Sequence, residues 1–375
     1  MEYVKIGDIY SIFKGKKVNQ IYGLNDDLIR YIQIDDLRND DNIKYCENND
    51  KYVISKRNDI IIAWDGANAG TVNYGLEGAI GSTLALLKSK DESFSAEYVG
   101  KFLQSKFKYL RDRCTGATIP HIQKDSLIGL EIPKFEIEVQ EKIAYTLDKA
   151  WELVEKRKEQ IKELDELIQS VFYDMFGDLN INKKRWNTKL FDEVAVIDTK
   201  MIKDFGEYEN VYHIGIENIE KNTGKIVNLS KVKDLDLKSG KYLFTEDHII
   251  YSKIRPNLNK VALPNFTGLC SADSYPILVH KVKCNRIYFT YLLRSDYFIN
   301  YILKLSSRTN IPKVNKSQLI GFKPIIPPIE LQDKFADIVQ NIEKQKEILQ
   351  LSLKELEDNF NSLMQKAFKG ELFRD

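Results

Sequence analysis

The sequence predicts an α+β protein in which two mixed α/β domains are each followed by one long coiled-coil helix. Three observations lead to this reading: an internal repeat, two apolar stripes of heptad spacing, and two stretches where short β-branched runs alternate with helical patterns. A chain of 375 residues also exceeds the usual size of a single core. The predicted segments are residues 1–134 (first domain), 135–178 (central helix), 183–329 (second domain) and 330–370 (distal helix).

The repeat is plainest in the helices. An offset of 192 aligns residues 119–178 with 311–370 without a gap, and 17 of those 60 pairs are identical. Ile119-Pro120 matches Ile311-Pro312, Leu127-Ile128-Gly129 matches Leu319-Ile320-Gly321, and Gln140 and Ala144 match Gln332 and Ala336. Upstream the correspondence weakens, with Tyr98 against Tyr288 and Ser105 against Ser295 at an offset of 190. The copies are therefore closest in their helices and most divergent in their globular parts.

In the first domain "DIIIAW" (59–64) and "STLALL" (82–87) read as strands and residues 96–111 as a helix. After Pro133 the apolar positions Ile143, Leu147, Val154, Ile161, Leu164 and Ile168 recur at spacings of three and four, with Arg157 at one seam position. Gly177 suits the stop of this helix, ahead of the polar "DLNINKKR". In the second domain "HIIYSKI" (248–254) and "YPILV" (275–279) read as strands and residues 288–305 as a helix. The distal seam repeats the first through Val339, Ile342, Leu349, Leu353, Leu356 and Phe360, with Lys346 as its basic intruder. Each helix of about 40 residues would extend ~60 Å. Such stripes either pack each helix on its own domain or bury one helix against the other, and their length favours mutual burial. Arg157 and Lys346 are then expected to snorkel or to pair with acids such as Glu155 or Glu343.

Two loops in each domain stand out for Gly, Asn or basic residues beside a strand. They are "DGANAG" (65–70) and "RDRCTGATIPHIQK" (111–124), then "KIRPNLNK" (253–260) and "SSRTNIPKVNK" (306–316). Arg and Asn have the paired donors that read base edges, while Lys, Ser and Thr suit phosphates. The candidates in the first domain are Asn68, Arg111, Arg113, Thr115, Thr118, His121 and Lys124. Those in the second are Lys253, Arg255, Asn257, Asn259, Lys260, Arg308, Thr309, Asn310, Lys313 and Lys316. His121 takes the place of Lys313 in the repeat, so a base or phosphate contact suits it better than catalysis. Solvated turns have a similar composition, and the charge distribution bears on the choice. The net charge is only +1, but residues 183–329 hold 24 basic against 14 acidic residues, while 135–182 hold 6 against 12. That asymmetry fits a polyanion-binding surface.

Several chemistries have no signature. No Asn-Pro-Pro-Tyr-like or Asp-Pro-Pro-Tyr-like tetrapeptide and no Gly-rich phosphate loop is present, which leaves no methyltransferase or ATPase motif. Asp198-Thr199-Lys200 and Asp236-Leu237-Lys238 each satisfy the tail of an Asp-x-Lys nuclease pattern, but without a convincing acidic partner. Cys46, Cys114, Cys270 and Cys284 are scattered and are expected to be reduced, with no metal site. No signal-peptide pattern follows Met1 and no apolar run is long enough to span a bilayer, so a cytoplasmic location without membrane association is expected.

"IPHIQKDSLIGLEIP" running into "EVQEKIAYTLDKA", its copy "IPKVNKSQLIGFKPIIPP" running into "ELQDKFADIV", and the terminal "KAFKGELF" closely resemble type I restriction-modification specificity subunits across the whole chain. The resemblance implies two target-recognition domains, each reading one half of a split double-stranded DNA site. It also implies that the two helices form an antiparallel coiled coil setting the separation, in a pseudo-twofold arrangement. Two modification subunits would dock on the helical regions and bring S-adenosylmethionine to methylate adenine. Restriction subunits would bring ATP and Mg, leaving this chain non-catalytic and without a cofactor of its own. Alternatives are a specificity subunit of a related fused-type or phage-defence methyltransferase, or a coiled-coil scaffold that binds no DNA.

Overall fold

The computed structural model describes residues 2–22, 27–116, 118–306 and 312–373. It divides into two compact units, one of residues 1–158 with 351–375 and one of residues 159–350. The divisions fall inside the two long helices, Ile137–Phe176 and Ile329–Lys369. Each unit therefore holds one globular domain and one end of each helix.

In the first unit Tyr3–Lys5 pairs antiparallel with Glu131–Pro133, so the chain enters and leaves the domain at one place. A four-stranded antiparallel sheet has the order Tyr10–Lys14, Leu84–Ser89, Ile60–Ala63, Val72–Tyr74. A second sheet orders Lys44–Glu47, Leu28–Ile32, Gly78–Ile80, Ile54–Ser55, with the middle pair parallel. Every residue of Ile60–Ala63 is buried, because successive side chains enter different cores. Ile60 and Ile62 join the core beneath the helices, whereas Ile61 and Ala63 join the one beneath the second sheet. The continuous apolar run "DIIIAW" is the sequence record of a strand covered on both faces.

The second unit repeats this topology. Asn187–Thr188 pairs with Ile325–Ile326. The first sheet is ordered Ala195–Ile197, Ser274–Val279, His248–Ser252, Val261–Ala262, and Ile249 and Tyr251 face one core while Ile250 faces another. The second sheet again has one parallel pair, Tyr212–Ile214 with Gly268–Cys270. It gains an edge strand, Met201–Ile202, that the first copy lacks among its described residues.

One expectation is corrected twice in the same way. Each predicted long domain helix is two helices, Ala96–Ser105 with Phe107–Asp112, and Arg286–Arg294 with Asp296–Ser306. The Ser105 hydroxyl donates to the Phe102 carbonyl at 2.6 Å, and the Ser295 hydroxyl to the Leu292 carbonyl at 2.7 Å. A serine competing for a backbone acceptor is a recurrent cause of such breaks.

The long helices are joined to the domains by matching polar contacts. Gln140 and Gln332 are both fully buried. Gln140 accepts from the Ser95 backbone N–H at 3.0 Å and donates to the Phe135 carbonyl at 2.8 Å. Gln332 accepts from the Asn285 N–H at 2.9 Å and donates to the Pro327 carbonyl at 2.7 Å. Ser95 and Asn285 also cap the N-termini of their domain helices. The Tyr98 hydroxyl donates to Pro133 and the Tyr288 hydroxyl to Ile325, at 2.9 and 2.7 Å.

Within each unit the helix ends run antiparallel. In the first, Trp151 meets Phe360 with ring centroids 5.0 Å apart, and Lys158 reaches Glu357 at 3.7 Å. In the second, Phe172 meets Phe335 at 5.5 Å and Lys346 reaches Asp165 at 2.5 Å. Ile143, Leu147, Val154, Ile168, Val339, Ile342 and Phe360 are buried, and Ile161, Leu164, Leu349, Leu353 and Leu356 half-buried. Each domain packs on both helices at once: Tyr98 lies 5.6 Å from Phe368 of the distal helix, and Tyr288 lies 4.7 Å from Phe176 of the central one. Gly177 and Gly370 follow the two helices with φ of +77° and +70°, the left-handed conformation that ends a helix with least strain in glycine.

Candidate nucleic-acid interface

In each unit the fold brings the two predicted loops together. In the first, the Gly66 N–H donates to the Pro120 carbonyl at 2.9 Å and the Ile122 N–H to the Trp64 carbonyl at 3.0 Å. Thr115 and His121 exchange backbone hydrogen bonds of 3.0 and 2.7 Å. Gly116 makes the turn between them at φ +97°, where a Cβ would lie 2.3 Å from the Ile119 carbonyl oxygen. In the second, the Arg255 N–H donates to the Pro312 carbonyl at 2.8 Å and the Val314 N–H to the Lys253 carbonyl at 2.9 Å. Segments more than 50 residues apart in sequence thus form one surface per domain.

The candidates divide by what their side chains already do. Arg113, Thr115, Thr118, His121 and Lys124 are exposed, as are Arg255, Asn257, Lys313 and Lys316. Arg113 lies over the Tyr109 ring at 3.7 Å, and Asn68 accepts from Arg38 at 2.5 Å. Arg111 is half-buried and donates to the Gly66 carbonyl at 3.2 Å, which ties the two loops together. Arg255 and Asn259 both have φ of +50° and flank the short turn Pro256–Leu258. Arg308, Thr309 and Asn310 lie outside the described residues.

Lys253 needs correcting, because its ammonium is spent inside the domain, while Asn259 and Lys260 are half-buried with an internal hydrogen bond each. Lys253 is only 7 % exposed. Its ammonium donates to the Ala272 carbonyl and sits 4.1 Å from the Tyr275 ring centroid and 5.2 Å from that of Tyr242. Burial, and then the positive charge of Lys313, hold its pKa below the ordinary lysine value. Asn259 donates to the Arg294 carbonyl at 3.0 Å, and Lys260 to the Ile216 carbonyl at 2.7 Å. Composition and spacing mark such residues as basic loop positions but carry no information on burial.

Other residues reach the surface without a sequence signal. Lys14, from the strand Tyr10–Lys14, meets Asp65 at 2.5 Å and lies 5.6 Å from the Trp64 ring centroid. The other oxygen of Asp65 is 2.6 Å from His121 Nδ1. Burial alone would raise the Asp65 pKa, yet the hydrogen bonds with Lys14 and His121 hold it below the usual carboxylate range. In the second domain Lys313 meets Asp273 at 2.8 Å. Asp65 stands among glycine, alanine and asparagine, and Lys14 is 51 residues from it, so local composition marks neither.

Among the described residues no group of three or more His, Cys, Asp or Glu side chains is placed to hold a metal ion, and no helix is long and apolar enough to cross a membrane. All four cysteines are unpaired.

Comparison with known proteins accounts for this architecture. Residues 1–164 and again 183–358 match the family described as type I restriction modification DNA specificity domain. The EcoDI type I restriction enzyme specificity subunit of Escherichia coli is 28% identical, over 74% of this chain and 70% of its own length. The MjaVIII specificity subunit of Methanocaldococcus jannaschii is 26% identical, over 99% of this chain and 92% of its own. Among solved structures, the type I restriction-modification S subunit from M. genitalium superimposes with a TM-score of 0.58 at 16% identity, covering 98% of this chain and 96% of that one. A chain of another type I R-M system gives the same TM-score at 14% identity, over 99% and 98% of the two chains. With two family matches that between them take in both domains and most of both helices, the chain belongs to the type I restriction-modification DNA specificity family.

Proposed function

We propose that this chain is the sequence-reading subunit of a type I restriction-modification complex, that each domain reads one half of a bipartite double-stranded site, and that the helix pair sets the spacer. The observation that carries the reading is the convergence, in each of two matching domains, of two separate loops onto one surface that carries exposed basic residues. Exposed Lys124, Lys313 and Lys316 suit phosphates, which position a protein on the duplex, while exposed Arg255 and Asn257 suit base edges, which specify sequence.

The chain acts by positioning and not by catalysis. Two modification subunits dock on the helical regions, supply S-adenosylmethionine and take the target adenine into their own pockets. Restriction subunits, with ATP and Mg, complete the nuclease. Exposed apolar side chains along the helices, including Leu153, Ile348 and Leu351, provide surface for helical partners. The complex works on DNA in the cytoplasm.

The test is a filter-binding titration on random duplex DNA, with the modification subunit present, at several salt concentrations. The expected outcome is affinity falling steeply and log-linearly with salt, as counterions are released from neutralised phosphates. Binding that is absent, or indifferent to salt, would rule out the DNA role.

A further inference from the structure

The two reading surfaces share a feature that their basic composition does not explain. In each, the side chain at the matching position, His121 or Lys313, is held by a carboxylate. The two acids come from places that do not correspond. Asp65 follows the strand Ile60–Ala63 and shares an isolated β-bridge with His121, whereas the bridge partner of Lys313 is Ile254. Asp273 immediately precedes the strand Ser274–Val279. The repeat therefore holds the side chain at this position against a carboxylate by two routes.

A carboxylate on a surface facing phosphates opposes binding by like-charge repulsion. Its compensating use there is as a hydrogen-bond acceptor: an ionised carboxylate only accepts, and the major-groove donors of bases are the amino groups of cytosine and adenine. Access differs between the two. The Asp273 side chain is 45% exposed and paired with Lys313, with Lys253 and Lys241 near enough to act on it. Asp65 is 18% exposed beside Lys14 and His121, which are themselves 45% and 49% exposed. We propose that Asp65 and Asp273 are specificity-determining residues, each accepting a hydrogen bond from an exocyclic amino group, N4 of cytosine or N6 of adenine, in its own half-site. Their partners Lys14, His121 and Lys313 hold the carboxylates when DNA is absent. This rests on the DNA-reading role proposed above.

The experiment selects bound duplexes from a pool randomised over both half-sites, using the chain assembled with its modification subunits. The variants are Asp65→Asn, Asp273→Asn and Lys313→Met. Asp273→Asn is expected to lose about ten- to a hundredfold of preference at one base pair of one half-site, to leave the other half-site intact, and to bind random duplex more tightly. Asp65→Asn is expected to do the same in the opposite half-site. Lys313→Met is expected to weaken binding while keeping the base preferences. A wild-type complex with no preference would overturn the DNA-reading role and this proposal with it. A wild-type complex with clear preferences that both Asp→Asn variants retain would leave the role standing and overturn the proposal alone. So would a Lys313→Met profile matching that of Asp273→Asn, since the acid would then only position the lysine. Should Asp273→Asn fail to assemble, Asp65→Asn carries the same test.

Discussion

Some of the identities between the two copies are buried residues with a structural task. Gln140 and Gln332 lie wholly buried and satisfy backbone groups of the adjoining domain, and Tyr98 and Tyr288 each close the strand that links domain to helix. Removing such a partner leaves buried polar groups unpaired, which costs more than the hydrogen bond contributed. A different kind of buried polar residue, His213, has its Nε2 buried without a partner. Burial, and then the charge of Lys241, lower its pKa, opposed by Glu217. The unfolded chain thus binds the proton more readily, so the contribution of neutral His213 is complete above the unfolded value of about 6.5 and is lost progressively as pH falls from there through the lower folded value. The urea midpoint of the second domain is expected to drop between about pH 7.5 and about pH 5.5 by more in the wild type than in His213→Gln. Equal drops would contradict this account.

At the scale of elements, the seam residues are buried or half-buried, and so are the two basic intruders. Arg157 is half-buried. Lys346 is paired with Asp165 at 2.5 Å and with Glu343, one of its expected partners, at 3.0 Å. Its side chain is 11% exposed, while the two acids are 40% and 46% exposed. The ammonium therefore bears most of the desolvation, and its removal leaves carboxylates that water can reach. Lys346→Leu is expected to leave stability unchanged or raise it by up to about 1 kcal/mol, measured by urea unfolding. Leu147, with no exposed surface, sits in the same seam pattern. A destabilisation by Lys346→Leu comparable to the roughly 2–5 kcal/mol expected of Leu147→Ala would show the ion pairs to be a main source of stability.

At the scale of the molecule, each compact unit contains one domain and parts of both helices. A segment boundary at residue 134 separates the domain from helix residues that complete its core, among them Leu147 and Val154. The ruler role predicts the effect of lengthening. Matched insertions of about seven residues, one heptad, near Lys158 and near Gln350 keep the seam pattern and extend the pair by ~10 Å, or about three base pairs at ~3.4 Å. Site selection is expected to return a longer spacer with both half-sites unchanged. An unchanged spacer would refute the ruler role.

The sequence by itself determined the doubling, the two helices, their seams and which loops to inspect, because those features are written as local periodicity and as a repeat along one chain. Residues such as Leu147 and Val339 announce their burial by spacing alone. The tertiary structure alone decided the rest. It buried Lys253 between tyrosines, turned Asn259 and Lys260 to internal carbonyls, broke both domain helices at matching serines and brought Lys14 and His121 to Asp65. These outcomes depend on strands paired across tens of residues, whose register sets burial and partners, and no local window of sequence encodes that register.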